Sequence, residues 1–202
     1  MLSLYCEGSI PFKDVYLHGL VLDAKGQKMS KSKGNVVNPQ DIIEEFGSDA
    51  LRMGLIASRS AGQNQAFGPD KVVAGRNFCN KLWNIARFVE NVLGDSITEA
   101  GDPNPQTPAD HWIIRELSAA KTQTATLLEE YRFAEAYETV YHTIWDKVAD
   151  WYVESSKTAY SADTMLWVLE ACLVMAHPFA PFVTEAIWQT LDWHPAYEDM
   201  LI

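Results

Sequence analysis

The sequence predicts a mainly helical protein, in which an antiparallel helical bundle follows a short α/β segment. After Pro69, apolar residues recur with the period of a helix that buries one side. Strand-forming residues are concentrated near the start, in residues 15–22. A chain of 202 residues with 48% hydrophobic content can bury the core of one or two domains.

The α/β segment has a strand, a turn, a loop and two short helices. Residues 15–22 are β-branched, aromatic or aliphatic and predict a buried strand. Residues 23–27 supply turn chemistry, and the polar residues 28–35 predict a mobile surface loop. Pro39 can open one helix at its first turn, and Ser48 can cap the next.

Four long helical segments follow, separated mainly by a linker from Gly94 to Pro108. The predicted spans are 69–93, 108–130, 133–158 and 162–192, the last interrupted at Pro178 and Pro181. The core-facing residues of the first are Phe78, Leu82, Ile85, Val89 and Val92, and those of the third are Tyr137, Val140, Tyr141, Ile144, Val148, Trp151 and Tyr152. Such stripes indicate an antiparallel bundle.

Tryptophans recur at helical spacing and are expected in the core rather than at a ligand site. They are Trp83, Trp145, Trp151, Trp167 and Trp188.

Composition suggests a cytoplasmic protein without a metal site. The three cysteines are widely spaced and odd in number, which argues against a disulfide framework, and the five histidines show no metal-ligand spacing with them. We see neither a signal peptide at residues 1–10 nor an apolar run long enough for a membrane span. We therefore expect no membrane association.

The net charge of -11 is unevenly distributed. Residues 1–94 hold 11 Lys and Arg against 9 Asp and Glu, whereas residues 95–202 hold 5 against 18. An anionic ligand is therefore expected to meet the first half, with the acidic second half serving mainly as scaffold.

The string Lys28-Met29-Ser30-Lys31-Ser32 places two ammonium groups three residues apart, on a loop flanked by glycines. Lysine is a compact, mobile point charge, and such a loop can fold over a polyphosphate and neutralise the charge of a departing pyrophosphate. A solvated loop rich in Lys and Ser is the plain alternative. This pentapeptide would occur by chance in only about one chain of this length in ten thousand.

This string resembles the second signature of the class I aminoacyl-tRNA synthetases, as do His18-Gly19 before it and Gly34-Asn35 and Asn38-Pro39 after it. The resemblance implies that Lys28 and Lys31 are catalytic and contact the phosphates of ATP, which is a substrate accompanied by Mg²⁺. No prosthetic group is expected. The implied ATP-binding residues are Lys28, Met29, Ser30, Lys31, Ser32 and His18. A histidine in an apolar strand can instead be structural.

Further along, the chain resembles the valine-specific members of that class. The segments that carry this resemblance are 11–16, 49–52, 76–84, 150–154 and 177–185. Residues 58–68 fit the pattern loosely. The resemblance implies an end of a Rossmann-type catalytic domain at 1–38, linking helices at 39–68 and an anticodon-binding bundle at 69–202.

In that family, the first signature motif, the amino-acid pocket and the editing domain would all precede Met1. We therefore expect this chain alone not to aminoacylate, whether it is an expressed fragment or a truncated gene product. The implied partners are tRNA(Val), ATP and valine, and we expect a monomer. The alternatives are a stand-alone RNA-binding module without catalysis and an unrelated helical scaffold.

One side of the first long helix has nucleic-acid chemistry. At about 100° per residue, Phe88 falls among Asn77, Lys81 and Asn84, with Arg87 at the border. An exposed aromatic beside amides and cations can stack an unpaired base and hold its phosphate. Alternatively, Phe88 packs under a neighbouring helix.

The predicted tRNA-binding residues are Lys81, Asn84, Arg87, Phe88, Arg76, Asn77 and Arg52. Arg59 is a further candidate for contact with the tRNA backbone. Both Arg52 and Arg59 could equally be salt-bridged parts of the scaffold.

Overall fold

A computed structural model describes residues 2–57, 62–94 and 101–191 and confirms a mainly helical fold. The elements are α1 (Leu2–Glu7), β1 (Val21–Leu22), a 3-10 turn (Lys31–Lys33), α2 (Pro39–Phe46), α3 (Ser48–Ile56), β2 (Gln65–Ala66), α4 (Pro69–Leu93), α5 (Pro108–Glu129), α6 (Phe133–His142), a π-helix (Thr143–Tyr152), α7 (Val153–Ser156), α8 (Ala162–Ala176) and α9 (Pro181–Thr190). Arg59 and residue 192 lie outside the described ranges.

The bundle core forms where α4, α5 and α8 pack with the π-helix, as the apolar stripes predict. Phe78, Leu82, Ile85 and Val89 are buried, and Val92 is partly buried against them. Burying such side chains stabilises the fold by about 1.5–3 kcal/mol each. The stripe of α4 is therefore correctly predicted.

The start of α5 is fixed by its sequence. Thr107 and Asp110 form a reciprocal capping box, with Pro108 inside the first turn. The buried Asp110 carboxylate also accepts a hydrogen bond from the Tyr152 hydroxyl at 2.9 Å. Burial, with the nearby Asp110 charge, raises the pKa of Tyr152. One short motif thus caps a helix and ties it to the π-helix.

The prediction that Trp151 is in the core is wrong, because 71% of this residue is exposed. Residues 143–152 form a π-helix, whose i→i+5 bonding puts more residues in each turn and rotates each by less than 100°. Ile144, Val148 and Tyr152 stay buried under that wider period, whereas Trp151 turns outward.

The corner between α8 and α9 follows from two prolines. α8 ends at Ala176, ahead of Pro178, and Pro181 opens α9. The Thr184 hydroxyl lies 2.8 Å from Nδ1 of His177 across this corner. The predicted interruption of the last helix is confirmed.

The prediction of a buried strand over residues 15–22 is largely wrong. Only Val21–Leu22 forms a strand, paired in parallel with Gln65–Ala66, and Val15 and Leu17 are 72% and 73% exposed. Just before the strand the chain already contacts the segment that leads to β2, because the Leu17 carbonyl accepts a hydrogen bond from the Gly62 amide at 3.0 Å. Parallel strands become buried when layers cover both faces, and β1 has one partner strand among the described residues.

Ser48 does not cap α3. It is the first residue of that helix, and Gly47 takes the N-cap position with φ of +89°, which glycine adopts without steric cost. The predicted start of α2 at Pro39 is confirmed, and the Asn38 side chain caps it by accepting a hydrogen bond from the Gln40 amide at 3.2 Å.

Asp49 joins α3 to α9. Its carboxylate is buried and accepts hydrogen bonds from the amides of Phe182 at 3.3 Å and Val183 at 2.7 Å, in the first turn of α9. Burial raises the pKa of Asp49, and these two amides oppose that rise. The residue at the N-cap of α9, Ala180, has no side-chain acceptor, so Asp49 caps this helix from a distant part of the chain.

We expect Asp49→Ala to lower the free energy of unfolding by about 2 kcal/mol, because two helix amides lose their acceptor in a buried position. Urea denaturation followed by circular dichroism would measure the change. Glu45→Ala, at an exposed position on α2, is the matched control and should change stability by less than about 0.5 kcal/mol. Equal effects of the two substitutions would contradict the capping role.

No helix in the described part of the chain is both long and apolar enough to cross a membrane.

Candidate functional site

The lysine loop, Lys28–Ser32, follows β1 and lies on the protein surface. Lys28 faces Leu22 across an isolated antiparallel bridge, and Met29 packs against a small core that contains Phe67 and Val72. Lys28 and Lys31 are exposed, and neither forms an ion pair with a described residue. Both ammonium groups therefore keep their charge available to an anion.

Asn35 holds the backbone of this loop. Its Oδ1 accepts a hydrogen bond from the Ser30 amide at 2.9 Å, and its Nδ2 donates to the Lys28 carbonyl at 3.3 Å and to Asp23 Oδ2 at 2.8 Å. The other carboxylate oxygen of Asp23 accepts from the amides of Lys25 at 3.0 Å and Gln27 at 2.7 Å. Two side chains thus tie together the turn before the loop and the loop itself.

The second half of the loop is a short 3-10 turn, residues 31–33. Gly34 ends it with φ of +66°, and its amide donates to the Lys31 carbonyl at 3.2 Å. The hydroxyls of Ser30 and Ser32 lie 3.3 Å apart. None of these contacts uses a lysine side chain, so the lysines can move toward a ligand without breaking the turn.

Asn35→Ala is expected to raise the pKa of Asp23. The Asn35 hydrogen bond is the main reason that this pKa lies below its ordinary value. A lowered carboxyl pKa stabilises the folded loop above about pH 4, and that contribution disappears as pH falls through the folded-state pKa. NMR titration of the Asp23 carboxyl carbon would measure the shift, with Asn38→Ala as the matched control. An Asp23 pKa unchanged in Asn35→Ala would contradict this role.

His18 is exposed rather than set in a buried strand. Its Nδ1 lies 2.9 Å from the Gly19 carbonyl oxygen, and its ring lines an open cleft together with Arg52. The structural alternative, a histidine packed in an apolar strand, does not apply to this position. Its predicted contact with ATP stays a prediction.

Gly19 is required by a close backbone approach. A Cβ atom at this position would lie 1.8 Å from the Gln63 carbonyl oxygen and 2.1 Å from its carbonyl carbon. The segment before the lysine loop and the segment before β2 therefore run in contact, which positions the loop against Phe67. The sequence pattern alone did not indicate why a glycine is needed there.

On α4, Lys81 is committed to contacts within the protein. Its Nζ lies 2.9 Å from Asp150 Oδ1 and 5.1 Å from the centroid of the Trp145 ring. Asn84 and Arg87, in contrast, are exposed. The lysine of the predicted face is therefore already paired within the protein, and its contact with tRNA stays a prediction.

The exposed aromatic of this helix is Trp83 rather than Phe88. Phe88 is partly buried against the bundle core, and Trp83 is 37% exposed beside Arg87. The helix geometry explains the exchange: Phe88 lies only about 80° from the centre of the core stripe, whereas Trp83 lies about 140° away. The predictions that Trp83 is in the core and that Phe88 is exposed are both wrong. The angular distance of each residue from the core stripe indicates that Trp83 is the exposed one.

The remaining predicted tRNA-binding residues occupy different places. Arg76 and Asn77 are exposed on α4, where the Arg76 guanidinium lies 5.6 Å from the centroid of the Phe46 ring. Arg52 donates hydrogen bonds to the carbonyls of Pro178 at 3.0 Å and Phe179 at 3.4 Å. Arg52 therefore secures the α8–α9 corner while its exposed side lines the cleft.

Comparison with protein families identifies the class. Residues 1–67 match the family described as tRNA synthetases class I (I, L, M and V), and residues 110–200 match the anticodon-binding domain of tRNA ligase. Together with the lysine loop and the helical bundle, these matches show that the chain belongs to the class I aminoacyl-tRNA synthetases.

Within this class, the chain is similar to valine–tRNA ligases. It is 44% identical to that of Geobacillus kaustophilus over 91% of this chain and 22% of the relative. It is 42% identical to that of Geobacter sulfurreducens over 95% of this chain and 23% of the relative. The chain thus spans about a fifth of the length of these curated relatives and aligns with one segment of each.

Solved structures share the fold. A LeuRS of Agrobacterium radiobacter K84, in a ternary complex with tRNA and LeuAMS, aligns with a TM-score of 0.75 and 24% identity over 89% of this chain and 22% of that chain. Methionyl-tRNA synthetase of Mycobacterium tuberculosis in complex with methionyl-adenylate aligns with a TM-score of 0.75 and 20% identity. This alignment covers 98% of this chain and 43% of that chain. At these identities the likeness shows the fold alone.

Proposed function

We propose that this chain supplies the lysine loop and the anticodon-binding bundle of a valine–tRNA ligase in the cytoplasm. The whole enzyme would join valine and ATP, accompanied by Mg²⁺, into an adenylate and then charge tRNA(Val). The exposed Lys28 and Lys31, held on a loop organised by Asn35 and Asp23, carry the first half of this proposal. The chain alone is expected to be inactive.

In this mechanism the lysines act on charge that develops as the α-phosphate is attacked and pyrophosphate leaves. Two ammonium groups close to the β- and γ-phosphates stabilise that charge in the transition state. The loop scaffold fixes the backbone beforehand, so less ordering free energy is spent when ATP binds. His18, Met29, Ser30 and Ser32 would contribute to ATP binding around the lysines.

The second half of the proposal places tRNA on the exposed side of α4. Trp83 offers a ring for an unpaired base, Asn84 an amide for its edge, and Arg87 and Arg76 cations for phosphates. Asn77 extends the same surface. Lys81 would have to exchange Asp150 for a phosphate, and Phe88 would support the surface from below. Arg52, which lies on α3 and bonds to the α8–α9 corner, would contact another part of the tRNA backbone.

The test is a titration of the chain with labelled tRNA(Val), beside the same tRNA with a changed middle anticodon base. We expect preference for the unchanged anticodon. Trp83→Ala and Arg87→Ala should each weaken binding about tenfold, the effect of losing one stacked base or one phosphate contact. Phe88→Ala should weaken it less.

Arg115→Ala is the matched control. Arg115 is an exposed arginine on α5, with 75% of its side chain accessible, and its loss should leave tRNA affinity unchanged. Equal affinity of all variants, or no discrimination between the two anticodons, would refute the proposed interface.

A further inference from the structure

A cleft lies between the segment that precedes β1 and the helical bundle. Its volume is about 330 Å³, within the range of pockets that bind small organic ligands. The side chains that shape it are Tyr16, His18, Arg52, Phe133, Pro178 and Phe179. None of the residues that line this aromatic cleft belongs to the lysine loop or to α4.

One wall of the cleft is aromatic. The ring centroids of Tyr16 and Phe133 lie 5.3 Å apart, with their planes at 65°. Behind them, the Tyr131 ring lies 6.3 Å from Tyr16 and 6.1 Å from Phe133. Tyr16 is 38% exposed and Tyr131 46%, so a flat ligand can reach this wall.

Tyr131 has an unusual backbone for its residue type. It ends α5 with φ of +59°, and its amide and that of Arg132 donate to the carbonyls of Leu128 and Leu127, the pattern of a Schellman motif. Glycine is the relaxed residue at this position, because a Cβ atom disfavours the left-handed region. The Tyr131 ring contacts the rings of Tyr16 and Phe133, contacts that a glycine could not make.

The lining of the cleft also holds a cation in a fixed position. Arg52 is fixed by its bonds to the Pro178 and Phe179 carbonyls, and it stays exposed. The His18 ring lies in the same lining. No carboxylate lines the cleft among the described residues, so an anion would meet no repulsion from its walls.

We propose that the aromatic cleft binds one unstacked nucleotide of an RNA, with the base against Tyr16 and Phe133 and the phosphate at Arg52. Aromatic rings stack on any base face, and arginine binds phosphate through planar donors. RNA as the source of this nucleotide rests on the proposed function. The same chemistry would suit a free nucleoside monophosphate, which the experiment separates.

The probe is a five-nucleotide single-stranded RNA with 2-aminopurine at its centre, whose fluorescence falls when the base stacks. Titration with the chain is expected to give saturable quenching. Tyr16→Ala and Arg52→Ala should each weaken binding about tenfold. Tyr5→Ala, at a residue 90% exposed outside the cleft, is the matched control and should leave quenching unchanged. Equal affinity of wild type, Tyr16→Ala and Arg52→Ala would overturn the proposal.

Tyr131→Gly separates binding from folding. Glycine relaxes the left-handed position, so the melting temperature should stay the same or rise, whereas RNA affinity should fall because the wall loses its support. Unchanged affinity in this variant would overturn the role given to Tyr131.

Two further measurements separate RNA from a free nucleotide as the ligand, and separate the cleft proposal from the proposed anticodon interface. The free monophosphate of 2-aminopurine riboside should bind more weakly than the RNA, and equal binding would overturn RNA as the source. Trp83→Ala should abolish anticodon discrimination and leave the quenching intact. Quenching without any anticodon discrimination would support the cleft and refute the proposed anticodon interface.

Discussion

Lys31→Ala is expected to lower valine-dependent ATP–pyrophosphate exchange about 100- to 1,000-fold in a full-length valine–tRNA ligase that carries this segment. The size corresponds to losing one preorganised group that stabilises transition-state charge. The Lys31 side chain is exposed and forms no ion pair with a described residue. The contact of Lys31 with the turn is made by its backbone carbonyl, which accepts a hydrogen bond from the Gly34 amide. Removing the side chain should therefore remove charge and leave the turn in place.

The kinetic pattern distinguishes a catalytic role from a structural one. We expect kcat to fall much more than the KM for ATP rises, because the charge that the lysine meets is greatest in the transition state. Lys33→Ala is the matched control, since Lys33 is also exposed and lies in the same 3-10 turn. A similar loss in Lys33→Ala, or an unchanged kcat in Lys31→Ala, would contradict the assignment.

Gly19→Ala is expected to separate the two extended segments that support the lysine loop. A methyl group cannot occupy a position 1.8 Å from the Gln63 carbonyl oxygen, so residues around 19 and 63 must move apart. The amides of Gln65 and Phe67, which donate to the Leu20 and Leu22 carbonyls at 2.9 and 3.0 Å, should lose protection in hydrogen exchange.

The effect should extend to the loop, because Met29 packs on the small core that contains Phe67. Gly101→Ala is the matched control, since nothing lies within 4 Å of its Cβ position. It should leave exchange at Gln65 and Phe67 unchanged. Retained protection of both amides in Gly19→Ala would show that the close approach does not govern this region.

Local patterns predicted most of the helical fold. Caps and prolines mark where helices begin, and the apolar stripe of α4 predicts its buried side, because both depend on residues close in sequence. Trp151 was misplaced because the stripe assumed a constant 100° per residue, and the π-helix changes that angle. Ser48 was misplaced because Gly47, with its positive φ, takes the cap position.

The candidate sites likewise include some that local sequence predicts and some that depend on contacts between distant segments. The lysine loop could be found from its residues, since the motif is local and specific. The angles from the core stripe of α4 place Trp83 outside and Phe88 at the edge of the buried side, but how far each ring is covered depends on the helices that pack against that edge. Asp49 lies in the first turn of α3, and its role as the cap of α9 depends on a partner more than 130 residues away in sequence.

By itself, the sequence determined the class of fold, the order of helices and the lysine loop, because these arise from spacings of a few residues. Only the tertiary structure decided that Asn35 and Asp23 brace that loop, that Lys81 is paired with Asp150, and that aromatic residues far apart in sequence enclose a cleft. Contacts between distant segments depend on how whole helices pack, and no short pattern encodes that packing.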